Sequence, residues 1–108
     1  MPKRGIKIIE DVPGEGPELK RGDWVRVRYD LSLNKGEVIQ ENQEEDFKFG
    51  DRMKIAGFNY GLERMRVGGT RVFKASPHLC YRDLEIPSIP KNAVLVFNIK
   101  HVSIVKST

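Results

Sequence analysis

The run from Trp24 to Leu33 constrains this chain more than any other stretch. Val25, Val27, Tyr29, Leu31 and Leu33 alternate there with Trp24, Arg26, Arg28, Asp30 and Ser32. Successive strand side chains point to opposite faces, so strict period two over that length predicts a half-buried antiparallel strand. A sheet therefore has to be built around it. Asn34-Lys35-Gly36 follows as a turn that tolerates left-handed backbone, and Val38-Ile39 restart a strand. The polar stretch Gln40 to Asp46 reads as a loop or bulge interrupting that strand, and Phe47-Lys48-Phe49 alternates again. Upstream, Ile6, Ile8 and Val12 bracket an extended segment closed by the turn residues Pro13-Gly14-Glu15-Gly16-Pro17. Downstream, Arg71 to Ala75 is a short strand, and Val94 through Val105 is a long β-branched one suited to the middle of a sheet.

One helix is visible. Phe58, Leu62 and Met65 fall at i, i+4 and i+7, a single apolar face, with Gly57 before it and Gly68-Gly69 as stop chemistry. The segment Ser76 to Asn92, with Pro77, Pro87 and Pro90, reads as a long loop. Structureless loops of that length in a small domain usually carry function. The sum is an α+β architecture: an antiparallel sheet with one short helix covering a face.

Composition limits what such a domain does. The 108 residues, 39% hydrophobic and 31% charged, suit one globular domain spanning 1–108. No apolar run reaches bilayer-spanning length, and the basic N-terminus leads into no secretory core, so a cytoplasmic location is expected. A lone cysteine, Cys80, leaves no internal disulfide framework. His78 and His101 stand isolated, so no metal is expected. The net charge of +4 is interspersed, and Arg26, Arg28, Arg64, Arg66 and Arg71 read as solvated surface. Nucleic-acid binders usually concentrate such charge on one face.

The order of motifs is informative beyond any single one. Gly22-Asp23-x-Val25-x-Val27-x-Tyr29 precedes Gly36 with Val38-Ile39, then Phe47-Lys48-Phe49. Ile55-x-Gly57-Phe58-x-x-Gly61-Leu62-x-x-Met65-x-Val67-Gly68 follows, then Ser76-Pro77-x-x-x-Tyr81, and Ile89-Pro90-x-Asn92-Ala93-x-Leu95-x-Phe97. From about Ile6 to Val102 the chain resembles the FKBP-type peptidyl-prolyl cis-trans isomerases, the macrolide-binding immunophilins. The resemblance implies a strongly twisted antiparallel sheet wrapped around the short helix, with an apolar pocket on the concave side.

It also implies a site. Phe58 would form the pocket floor, and Tyr29, Phe47 and Phe97 its walls. Ile55 would offer its backbone N–H and Tyr81 its hydroxyl to carbonyls, while Ile89 closes the rim. Taken without the resemblance, Tyr29, Phe58 and Phe97 read as plain core and Tyr81 as a packing anchor. The family's aromatic-acid pair after the Gly36 turn is Ile39-Gln40 here, and Lys54 stands where an apolar residue precedes Ile55. Arg82 replaces the glycine after the pocket tyrosine. The expected partners are proline-containing polypeptides, with weak macrolide affinity. No cofactor, nucleic acid or membrane is expected, and the chain is expected to be monomeric. The alternatives are a weakly active or non-catalytic peptide-binding, chaperone-like module, which Gln40 favours, and a basic domain binding nucleic acid or a phosphorylated partner through Arg26, Arg28 and their neighbours.

Overall fold

The computed structural model describes residues 5–51, 56–77, 89 and 92–106. The alternating run forms β2 (Trp24–Leu33), with Val25, Val27, Tyr29, Leu31 and Leu33 all buried. It pairs antiparallel with β3 (Val38–Lys48) on one side and β5 (Leu95–Lys106) on the other. β4 (Thr70–Ala75) pairs with β5, and β1 (Ile6–Val12) with β4, both antiparallel. The five-stranded order is β1-β4-β5-β2-β3, with the helix α1 (Ala56–Gly61) between β3 and β4 in the chain.

Residues opposite one another on antiparallel strands share a face. Phe97 pairs with Leu31 on one side and Phe73 on the other, so the centre of the buried face is a row of large side chains. The register of β5 slips between Arg28 and Tyr29 of its partner. That slip changes the inward parity from Leu95, Phe97 and Ile99 to Val102, all four fully buried.

The polar stretch of β3 is a strand, not an interruption of one. Gln40, Gln43, Glu44, Glu45 and Asp46 all sit in the ladder with β2. This is an edge strand, so its polar faces meet water without cost, and cross-strand ion pairs support it. Arg26 binds Asp46 with two hydrogen bonds of 2.8 and 2.9 Å, and Arg28 binds Glu44 at 3.3 Å. These exposed pairs tie up both arginines of the nucleic-acid alternative.

The expected irregularity survives as a bulge. Tyr29 pairs with Gln43 but Leu31 with Gln40, so β3 spends an extra residue opposite Asp30. Asn42 takes up the left-handed conformation there, φ 51°, and donates its N–H to Asp30 at 2.9 Å. Lys100 lies 3.0 Å from the same carboxylate. The Asn42 N–H first, and Lys100 second, hold the Asp30 carboxyl below its usual range. A carboxyl lowered by folding stabilises the native state above its unfolded value of about 3.9, and that contribution is lost as pH falls through the folded value. Asp30→Asn is therefore expected to flatten the acid limb of the stability–pH curve below about pH 4. Urea midpoints across that range check this, and an unaltered acid limb would contradict it.

The helix is shorter than its apolar spacing predicts. Helical geometry ends at Gly61, although Leu62 still donates to the Phe58 carbonyl at 3.0 Å. Glu63 and Met65 then make tighter i−3 bonds, and Arg64 turns left-handed at φ 64°. Leu62 and Met65 are buried all the same, packed from a turn. Gly61 is required by close approach: a Cβ there would overlap the Phe73 ring. Arg71 is a second correction. It is buried at 7% exposure rather than solvated.

Candidate active site

Phe58 stands at the middle of the helix and at the centre of an aromatic cluster. Its ring meets Tyr29 at 4.9 Å between centroids, Phe97 at 4.9 Å and Phe47 at 5.6 Å, each edge-on. Edge-to-face contact brings the electropositive rim of one ring to the negative face of another, a preferred aromatic geometry. Three strands supply the surrounding rings: β2 brings Tyr29, β3 brings Phe47 and β5 brings Phe97. Phe73 of β4, absent from the sequence-based site, stacks on Phe97 from behind at 4.9 Å and 13°. Its strand position signals core, and it backs Phe97 in the cluster.

The helix is fixed so that Phe58 cannot drift. Asn59, the next residue, accepts from the Gly50 N–H and donates to the Asp51 carbonyl, both at 2.9 Å. Its amide thus pins α1 to the turn that ends β3. Arg71 holds the C-terminal end, donating to the carbonyls of Gly61 and Glu63 at 2.8 Å each.

Of the predicted site residues, Tyr29, Phe47, Phe58 and Phe97 are brought together and buried. Ile89 is also buried and joins the same core, and Ile39 packs against it half-buried. Gln40 pairs with Leu31 in the ladder and is exposed. Lys54, Ile55 and Tyr81 lie outside the described residues.

An acid missed by sequence reasoning touches this cluster. The Tyr29 hydroxyl donates to Glu45 Oε2 at 3.0 Å. Glu45 pairs with the buried Val27 and lies two residues before Phe47, so it shares their inward parity. Counting back from Phe47 by two finds it, once the stretch is read as strand.

Known proteins share this sequence pattern and fold. Residues 16–102 match the family model described as FKBP-type peptidyl-prolyl cis-trans isomerase. The chain belongs to that family. It is 36% identical over 104 residues to FK506-binding protein 4 of Aspergillus fumigatus, covering 94% of this chain and 21% of that protein. FK506-binding protein 4 of Mycosarcoma maydis is 38% identical over 103 residues, covering 93% and 28% respectively. The chain thus spans between about a fifth and just over a quarter of the length of these curated relatives. The crystal structure of AtFKBP13 superposes on this FKBP domain with a TM-score of 0.84 at 26% identity. It covers 98% of this chain and 96% of that one. The five-stranded antiparallel sheet with one short helix is therefore the FKBP fold.

Proposed function

We propose that this domain accelerates cis–trans exchange of X-Pro bonds in polypeptides, with the proline ring held against Phe58. The observation that carries the reading is the Phe58 ring edged by Tyr29, Phe47 and Phe97, in a chain of the FKBP family. The barrier to rotation, roughly 18–20 kcal/mol, comes from amide resonance lost in the twisted state. No nucleophile or metal is needed to lower it. Rings that exclude water leave the planar, charge-separated amide poorly solvated, which raises the ground state relative to the twisted one. A hydrogen-bond donor would favour the twisted state where it meets the lone pair that localises on the proline nitrogen as resonance is lost. The relatives' name supports binding of FK506-type macrolides in the same place. The Ile39-Gln40 pair supports a lower macrolide affinity than an aromatic-acid pair would give.

A protease-coupled assay on short X-Pro-Phe peptides tests this. Cis-to-trans exchange is expected to accelerate in proportion to protein concentration, and FK506 is expected to suppress the acceleration at saturating dose. A folded sample that leaves the exchange at its uncatalysed rate would sink the enzymatic reading and turn it to a peptide-binding module.

A further inference from the structure

The acidic residues of β3 divide by parity, and the division assigns one of them a task. Asp46 and Glu44 pair across the strand with Arg26 and Arg28 on the exposed face. Glu45, between them, pairs with the fully buried Val27 and turns its half-buried carboxylate to the Tyr29 hydroxyl. Tyr29 pairs with Gln43, so Glu45 is its diagonal neighbour across the ladder. That separation suits two long side chains meeting over one intervening position.

We propose that Glu45 is a positioning residue of the isomerase site, acting through Tyr29. Hydrogen bonds to charged acceptors are stronger than neutral ones, so the carboxylate fixes the phenol's rotation and the hydroxyl's direction. The Tyr29 ring stands edge-on to Phe58, with an interplanar angle of 79°. Anchoring the hydroxyl therefore holds one wall of the pocket at a set angle to its floor. The acid comes from the Phe47 side of the β3 bulge, whereas Gln40, on the other side, is exposed.

The inference rests on the isomerase reading, so its test carries a readout that needs no turnover. Glu45→Ala, Glu45→Gln, Tyr29→Phe and the double variant Tyr29→Phe/Glu45→Ala are compared for kcat/KM and for the aromatic proton resonances of Tyr29 and Phe58. Glu45→Ala is expected to lower kcat/KM by about tenfold and to shift the Phe58 ring resonances. Glu45→Gln, which keeps a neutral acceptor, is expected to recover most of the rate and the native shifts. In the Tyr29→Phe background, Glu45→Ala is expected to change kcat/KM less than in the native background, because the bond between the two is already absent. Glu44→Gln, on the exposed face, is the control and is expected to stay within about twofold. The proposal is overturned if Glu45→Ala leaves the ring resonances unmoved. Equal rate losses from Glu45→Ala in the native and Tyr29→Phe backgrounds would overturn it as well. If the unmodified protein shows no turnover, the isomerase reading fails by itself, and the ring resonances alone decide whether Glu45 positions Tyr29.

Discussion

Phe97→Ala is expected to lower stability by about 3–5 kcal/mol, the range for truncating a large buried aromatic ring. The ring is fully buried and is held on two sides at once. Phe73 stacks on it from the adjacent strand, and Phe58 meets it from the helix. Alanine removes the shared partner of both, and the ladder with β2 and β4 prevents the backbone from closing the gap. Domains of this size have about 5–15 kcal/mol of stability in all, so the variant should populate unfolded chains on warming. Phe97→Leu preserves much of the volume and is expected to cost less, on the order of 1–2 kcal/mol, while still losing the flat ring that the proposed isomerase site uses. The two variants therefore separate core from pocket. Urea denaturation gives the stability loss and the peptide assay gives the rate. A loss below about 1 kcal/mol for Phe97→Ala would mean that the ring is not the keystone its contacts describe.

The parts of this fold legible in the sequence are those written in apolar residues. β2 alternates cleanly because one face is core and the other is water, and its buried set matches the alternation residue for residue. Phe58, Tyr29, Phe47 and Phe97 are legible as apolar positions, while their meeting in one cluster comes from the family resemblance. The parts that escape are polar. Gln40 to Asp46 carries little apolar periodicity, because an edge strand with cross-strand ion pairs does not need any. Gln40 and Glu45 are five positions apart, so plain alternation puts them on opposite faces, and only the extra residue at Asn42 brings both opposite inward residues of β2, Leu31 and Val27. Glu45 consequently reads like its solvated neighbours, although its inward position needs only the count from Phe47. The helix end escapes for a different reason. Leu62 and Met65 are buried whether the backbone there is helix or turn, so spacing alone cannot locate the last helical residue. What locates it is Arg71, whose partners are set by tertiary structure.

Arg71→Met should be the second most damaging change, and its cause is unpaired oxygen rather than lost charge. The guanidinium grips Asp11 with two bonds of 3.1 and 3.2 Å, and its remaining nitrogen donates to the Gly61 and Glu63 carbonyls. Asp11 is 60 positions away in sequence, so nothing local betrays that this arginine is buried. Asp11 is 43% exposed and can return to water when its partner is removed. The Gly61 carbonyl lies in the interior and cannot. A buried acceptor left without a donor costs about 1–3 kcal/mol, and the second carbonyl and the lost fork add to this, giving roughly 2–4 kcal/mol for Arg71→Met. At about 4–8 °C per kcal/mol for a domain near this size, the midpoint of thermal unfolding should fall by on the order of 10 °C or more. Arg71→Lys is expected to recover only a minor part, since one ammonium cannot span a carboxylate and two carbonyls set at opposite ends of a planar fork. The consequence for the proposed activity follows from the chain: Gly61 ends the helix three residues after Phe58, so a loosened helix end loosens that ring. The value of kcat/KM should therefore fall in Arg71→Met even at temperatures where the variant is fully folded. A variant with reduced melting temperature but native kcat/KM would show that Asn59, next to Phe58 in the helix, suffices to hold that ring in place.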